Sequence, residues 1–185
     1  GISNAVGMAI AESHLAARFN KEDFNLIDHN TYVIVGDGDL QEGVALESMS
    51  LAGHLKLGKL VVLFDSNDIQ LDGPVGNAYS EEHKNKFSAM GWDYQLVEDG
   101  MNPAAINEAI NKAKAVNDKP SIIEVKTTIG FGASKAGTHK VHGAPLGKDV
   151  ENLRKNLGWA LPPFQVDEDV YEHFNDVVTK RGQPA

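Results

Sequence analysis

The chain contains no cysteine, no long apolar run and fewer cationic than acidic residues. Without cysteine it has no disulfide, no thiolate metal ligand and no thiol nucleophile, which fits a reducing compartment such as the cytoplasm. No apolar run approaches the roughly 20 residues that a membrane-spanning helix requires. With 17 Lys and Arg against 26 Asp and Glu, the net charge of −9 argues against broad binding to nucleic acid or anionic lipid. A local phosphate site is still compatible with this charge.

The 185 residues are 42% hydrophobic and 23% charged, which is typical of one folded globular domain rather than of a disordered segment. No initiator methionine precedes Gly1 and no signal-peptide pattern follows it, so we expect a chain cut from something longer. About two-thirds of the surface of a chain this long can be buried on folding, enough for a core without metals or disulfides.

Short β-branched and apolar runs alternate with segments of helical periodicity along most of the chain. Predicted strands span residues 31–35, 59–64, 94–97 and 121–125. Predicted helices run from a cap at Ser3 or Asn4 to residue 19, and over residues 41–57, 81–90, 104–116, 150–157 and 170–180. This alternation predicts a three-layer α/β/α fold whose mainly parallel sheet is covered by helices on both faces.

Polar residues follow the first two predicted strands at the point where each strand ends. Gly36-Asp37-Gly38 comes after the first strand and Asp65-Ser66-Asn67-Asp68 after the second. Because parallel strands joined by a helical crossover end at the same edge of a sheet, we expect these segments to be neighbours. Asp37 offers a carboxylate and Asn67 an amide oxygen, which suit Mg²⁺ together with phosphate oxygens and water. The pattern therefore predicts a cation that holds a diphosphate at this edge.

Gly36 and Gly38 carry no side chains, so we expect the backbone there to approach a phosphate group closely. The helix that follows would direct its first N–H groups toward that negative charge. Two common nucleotide loops are excluded, since no Gly-Lys-Ser/Thr follows to make a P-loop and residues 36–41 lack the third glycine of a dinucleotide fingerprint.

Gly-Asp-Gly followed by Asn67 about one βα unit later resembles the signature of enzymes that depend on thiamine diphosphate. Flanking stretches resemble the transketolase family specifically, and they lie at residues 1–8, 36–43, 50–58 and 127–146. The resemblance runs over essentially the whole chain. It implies the thiamine-diphosphate-binding fold, with residues 1–185 forming a single diphosphate-binding domain without the family's pyrimidine-binding and C-terminal domains.

The resemblance assigns a cation and diphosphate site to the ends of the first two strands. It implies that Asp37, Asn67 and the main-chain carbonyl of Ile69 bind the divalent cation, Mg²⁺ or Ca²⁺. Gly36 and Gly38 would line the diphosphate of the cofactor.

Other assignments concern residues farther from the cation. His142 matches a histidine of the family that reaches both the diphosphate and the substrate, and Ile129 matches a residue packed beside the thiazolium ring. Asp65 matches a cofactor-site position near the cation, although an aspartate at a strand end is frequently a turn former.

Glu42 and Glu47 match acidic residues at the family's dimer interface, close to the partner's glutamate that activates the cofactor. The resemblance places Glu42 with the catalytic residues and Glu47 with the cofactor-binding ones. Both also suit a solvated helix face, and Glu42 suits the first turn of a helix.

As a function, the resemblance implies transfer of a two-carbon ketol unit from a ketose phosphate to an aldose phosphate, a reaction of the pentose phosphate pathway. The active site would form in a homodimer, with the pyrimidine-binding domain of a second subunit, and this chain alone would be inactive. Two alternatives stay open. One is a dihydroxyacetone synthase or a 1-deoxyxylulose-phosphate synthase-like enzyme, and the other is a noncatalytic interaction module on the same scaffold.

Overall fold

The computed structural model describes residues 1–182. Its main sheet has four parallel strands in the order β1-β2-β6-β5, and a two-stranded antiparallel hairpin pairs β3 with β4. The strands are β1 (Thr31–Gly36), β2 (Leu60–Ser66), β3 (Ile69–Gln70), β4 (Gly73–Pro74), β5 (Asp93–Val97) and β6 (Ser121–Lys126). The helices are α1 (Ile2–Phe19), α2 (Gly43–His54), α3 (His83–Ala89), α4 (Pro103–Ala115), α5 (Val150–Asn156) and α6 (Glu168–Gly182).

The described residues pack as two compact units. The first comprises residues 1–131 and 135–144 and contains the main sheet with α1 to α4. The second comprises residues 132–134 and those from 145 onward, and it contains α5 and α6. In the second unit, the Asn156 side chain donates a hydrogen bond to the carbonyl of Gly132 at 2.7 Å. None of the helices in residues 1–182 has the length and apolar character to cross a membrane.

Helices cover both faces of the main sheet in the first unit. On one face, Val62, Phe64 and Ile122 are fully buried in a core to which α1, α2 and α3 contribute. On the other face, Val61 and Ile123 are fully buried against α4. Successive residues of a strand point to opposite faces, so the continuous apolar runs of β2 and β6 supply both cores. The predicted three-layer α/β/α fold is confirmed.

The expectation that helices cover both faces is wrong at β1. Tyr32 and Ile34 remain 47% and 74% exposed on the face that α4 covers elsewhere. The reason is the strand order: β1 is an edge strand, while α4 packs on β2, β5 and β6.

Two helix ends differ from the sequence prediction. Gly1, not Ser3 or Asn4, is the N-cap of α1, and the Ser3 hydroxyl instead bonds to the Val44 carbonyl and the Ser48 hydroxyl of α2. The predicted second helix is shorter than expected because residues 39–41 form a 3₁₀ turn before it and the backbone turns left-handed at Lys56 after it.

Candidate functional site

The sheet places the two polar strand ends side by side, as predicted. In the register of β1 and β2, Gly36 lies opposite Asp65, and the chain continues from these positions into the two polar segments. Asp37 is 5% exposed, and its Oδ2 accepts the backbone N–H groups of Asn67 and Asp68, each at 3.2 Å. A single carboxylate oxygen thus joins the segment after β1 to the segment after β2.

The electrostatic environment of Asp37 favours a positive ligand. Burial raises the pKa of its carboxyl group, and the neighbouring Asp68 carboxylate acts in the same direction, while the two backbone hydrogen bonds oppose them. Among the described residues, none donates a hydrogen bond to the second oxygen, Oδ1. A buried carboxylate is costly when it lacks a compensating charge. A cation on Oδ1 would supply that charge.

The turn after β2 presents a further oxygen atom, Oδ1 of the Asn67 side chain. Asn67 Oδ1 accepts the N–H of Ile69 at 3.0 Å, and Asp68 between them has a left-handed backbone with φ of 62°. An amide oxygen has two acceptor positions, so Asn67 Oδ1 retains one for a cation. No group of three or more His, Cys, Asp or Glu in residues 1–182 could hold a metal ion by itself. A cation here would therefore need amide, carbonyl and ligand oxygens beside Asp37.

Asp65 holds this turn in place. Its carboxylate accepts hydrogen bonds from the Asn67 side-chain amide at 3.1 Å and from the Thr127 hydroxyl. Because the Asn67 side-chain nitrogen donates to Asp65, the side-chain oxygen Oδ1 of Asn67 points away from Asp65 and toward the N–H of Ile69. The structure thus gives Asp65 an orienting role, and direct contact of Asp65 with a cofactor stays a prediction.

Neither packing nor backbone conformation explains the glycine at position 38. Gly38 has φ of −65°, which any residue adopts, and a Cβ atom there would meet nothing within 4 Å. At Gly36 a Cβ atom would meet only the Asp39 carboxylate, at 3.8 Å. The Gly36 N–H already donates to the Asp39 carboxylate at 2.8 Å, so it is not free to bind a phosphate as expected. The helix expected to follow the glycines directly, α2, begins only at Gly43. The open space at Gly38 fits a bound group.

Ile129 and His142 lie on a loop that folds back on itself. Gly130 has φ of 65°, and a Cβ atom there would lie 2.7 Å from the Val141 side chain, so only glycine permits this close return. The Ile129 carbonyl accepts the N–H of Gly137 at 2.8 Å. His142 ends the following 3₁₀ turn and is exposed, and no hydrogen bond among the described residues joins it to Asp37 or Asn67. The direct roles of Ile129 and His142 stay predictions.

Glu42 and Glu47 are both exposed. Glu42 lies immediately before α2, and Glu47 lies within it. The main chain of Glu42 is extended, and its carbonyl accepts the N–H of Ala45 at 3.1 Å, so this residue is the N-cap of α2. Neither carboxylate has a hydrogen bond or ion pair with another described residue. Their exposure is compatible with both an interface and a solvated face.

Glu124, a highly connected side chain near this edge, is not among the residues that the sequence predicted for the site. It is 3% exposed and accepts hydrogen bonds from Ser66 at 2.9 Å, Tyr94 at 2.8 Å and His83 Nδ1 at 3.0 Å, and it pairs with Lys126 at 2.7 Å. The available signal was an acidic residue within the apolar run of β6, where a carboxylate requires buried partners.

Replacing Glu124 with glutamine should lower the free energy of unfolding by about 2 kcal/mol at pH 7, because hydrogen bonds to a charged group are lost. Burial alone would raise the pKa of Glu124, but the hydrogen bonds from His83, Lys126, Tyr94 and Ser66 hold it well below its usual range. A depressed pKa stabilises the folded state above the unfolded-state pKa, and this contribution is lost as pH falls. Urea unfolding at several pH values should therefore show the two proteins converging below about pH 4.

Glu108→Gln is the matched control, since Glu108 pairs with Lys112 on an exposed helix face. We expect it to change stability little at any pH. An equal effect of the two substitutions would contradict the role given to the buried Glu124 contacts.

The fold and the polar edge of its sheet define the class of α/β domains in which ligands bind beyond the carboxyl ends of the strands. Residues 1–185 match the family described as "Transketolase, thiamine diphosphate binding domain". The chain belongs to this family, and the predicted resemblance is confirmed.

Similar proteins agree with this assignment. The transketolases of Streptococcus pyogenes serotype M6 and Bacillus subtilis are 54% and 53% identical, covering 100% and 99% of this chain but 26% and 28% of their own length. The transketolase structure from Leishmania mexicana superimposes with a TM-score of 0.94 at 48% identity, covering 97% of this chain and 27% of that one. The chain thus spans about a quarter of the length of these relatives.

Proposed function

We propose that this chain holds the diphosphate group of thiamine diphosphate through a divalent cation, Mg²⁺ or Ca²⁺, as one part of a transketolase. The proposal rests on the environment of the Asp37 side chain. Its carboxylate is buried at the carboxyl edge of the sheet, its pKa is raised by burial, and Oδ1 has no hydrogen-bond donor among the described residues. A hard cation is the ligand that best satisfies such an oxygen.

Asp37 Oδ1, Asn67 Oδ1 and the Ile69 carbonyl are the proposed protein ligands of the cation. All three are oxygen ligands, and Mg²⁺ commonly completes its coordination with phosphate oxygens and water. Asp37 contributes one negative charge and the diphosphate contributes the others. The open space at Gly38 and Gly36 would then receive the diphosphate.

The bound cofactor would supply an electron sink for breaking and forming a carbon–carbon bond next to a carbonyl group. This chain would bind and orient it. Ile129 is proposed to pack beside the thiazolium ring, and the exposed His142 to reach both the diphosphate and the sugar-phosphate substrate. Asp65 is proposed to act near the cation by orienting the Asn67 amide.

The complete protein would transfer a two-carbon ketol unit between sugar phosphates in the cytoplasmic pentose phosphate pathway. We propose that residues 1–185 act as one diphosphate-binding domain and that a pyrimidine-binding domain of a second subunit completes the site in a homodimer. The exposed carboxylates of Glu42 and Glu47 on α2 are proposed to lie near that partner. Without the partner domain we expect no ketol transfer by this chain.

Calorimetric titration with thiamine diphosphate tests the binding proposal. We expect saturable binding with Mg²⁺ present and none with EDTA, because the cation links two negatively charged groups. Thiamine monophosphate is the matched control ligand, and we expect it to bind much more weakly because it cannot offer two phosphate groups to the cation. Binding that persists in EDTA would contradict the proposal, as would absence of binding both alone and with an added pyrimidine-binding domain.

A further inference from the structure

A second polar cluster lies next to the candidate cation site. We call it the Glu124 cluster, and its members are Ser66, His83, Tyr94, Glu124 and Lys126. The Glu124 carboxylate is the common acceptor, with Ser66 and Lys126 on Oε1 and Tyr94 and His83 on Oε2. Both oxygens therefore have two partners. The cluster joins three neighbouring strands, β2, β6 and β5, to the beginning of α3.

Ser66 connects this cluster to the candidate site. Its hydroxyl donates to Glu124 at 2.9 Å and accepts from Lys126 Nζ at 2.9 Å, so both of its hydrogen-bonding functions are used. Ser66 is 1% exposed, so water does not compete with these partners for its hydroxyl. The next residue along the chain is Asn67.

The position of Ser66 determines where the turn after β2 begins. The N–H groups of Asn67 and Asp68 must both reach the same atom, Asp37 Oδ2, and each does so at 3.2 Å. These hydrogen bonds are near the upper end of the usual range, so a small shift of the turn would break them. Ser66 is the last residue of β2, so its hydrogen bond to Glu124 fixes the strand one residue before the turn, while Asp65 contacts the turn itself through the Asn67 side chain.

The cluster also affects the charge of the site. Asp37, Asp68, Glu124 and Lys126 line the same cavity. Of these four residues, Lys126 carries the positive charge. Its ammonium group pairs with the buried Glu124 carboxylate at 2.7 Å. Among the described residues, neither Asp37 nor Asp68 forms an ion pair with Lys126, although both attract its ammonium group through space.

We propose that Glu124 is a positioning residue for the cation site, acting through Ser66 to hold Asn67 and Asp68 against Asp37. The role in cation binding rests on the proposed function, whereas the role in holding the turn does not. The two roles are therefore measured separately.

The decisive comparison uses two variants that each remove one hydroxyl donor from Glu124. Ser66→Ala breaks the connection to the turn, whereas Tyr94→Phe removes a partner on β5, away from the turn. Both keep Glu124 itself in place. We expect each to lower the melting temperature by about 2–4 °C, the shift that corresponds to loss of a hydrogen bond in a chain of this size. A purely structural cluster would make the two variants equivalent in every other measurement.

Amide hydrogen exchange followed by NMR measures the turn without any ligand. In Ser66→Ala we expect the N–H groups of Asn67 and Asp68 to exchange at least about tenfold faster, relative to the core amide of Val62, than in the unchanged chain. In Tyr94→Phe we expect that ratio to stay the same. Equal ratios in the two variants would overturn the positioning role, whatever the cofactor does.

Titration with Mg²⁺ and thiamine diphosphate then measures the effect on the site. We expect about tenfold weaker binding for Ser66→Ala, the effect typical of removing a group that orients a metal ligand, and an unchanged affinity for Tyr94→Phe. Equal loss in both variants would refute the link to cation binding. Altered amide exchange in a chain that binds no cofactor, either alone or with an added pyrimidine-binding domain, would leave the positioning of the turn established and refute the proposed function instead.

Discussion

Replacing Asp37 with asparagine should weaken the binding of thiamine diphosphate in Mg²⁺ by at least about 100-fold, equivalent to about 2.7 kcal/mol. The asparagine oxygen can still accept the N–H groups of Asn67 and Asp68, which Asp37 Oδ2 accepts at 3.2 Å, so the turn should keep its place. What is lost is the negative charge that would bind the cation. Calorimetry measures the affinity, and thermal unfolding shows whether the fold is retained.

The melting temperature of Asp37→Asn should not fall, because the substitution removes a buried charge whose pKa burial already raises. Asp23→Asn is the matched control. Asp23 is an exposed carboxylate in the loop that precedes β1, whereas Asp37 follows β1. It changes the net charge equally and should leave the affinity unchanged. Similar losses in the two variants would mean that Asp37 acts only through the total charge.

Replacing Gly53 with alanine should lower the free energy of unfolding by more than about 3 kcal/mol, because it overpacks a rigid contact. A Cβ atom at this position of α2 would lie 1.8 Å from the carbonyl oxygen of Met90 and 3.3 Å from the Trp92 ring. The backbone of Met90 cannot rotate away as a side chain would. Trp92 is also fixed, since its ring N–H donates to the Met49 carbonyl at 2.8 Å. Urea unfolding measures the loss.

Gly7→Ala in α1 is the matched control for Gly53→Ala. A Cβ atom at Gly7 would meet nothing within 4 Å, so alanine there should stabilise the protein by about 0.5–1 kcal/mol through its higher helix propensity. Gly53→Ala with near-normal stability would show that α2 can move away from the segment before β5. That result would remove the packing reason for glycine at position 53.

The closeness of the two polar strand ends is a feature of the candidate cation site that the sequence predicted correctly. Gly-Asp-Gly and Asn67 follow two strands joined by one helix, and such strands end side by side at one edge of a parallel sheet. The structure confirms that closeness through the hydrogen bonds to Asp37. The individual roles of His142, Ile129, Glu42 and Glu47 came from the family resemblance and stay predictions, because their contacts would involve a cofactor or another subunit.

Local pattern was less reliable at element ends. Ser3 has the chemistry of a helix cap, yet its hydroxyl contacts α2, because tertiary partners offered it hydrogen bonds. The helix predicted from residue 41 begins at Gly43, because the segment after Gly38 first makes a 3₁₀ turn.

By itself, the sequence determined the layered α/β architecture, the pairing of β1 with β2 and the acidic edge where they end. These features depend on periodicity and on residues close along the chain. Only the tertiary structure decided that β6 lies between β2 and β5, which brings Glu124 to Ser66 and His83 and leaves Tyr32 and Ile34 exposed at the edge. Hydrophobic periodicity states which face of a strand is apolar but carries no information about which strand lies beside it, so the partners of a buried charge are set by the sheet order.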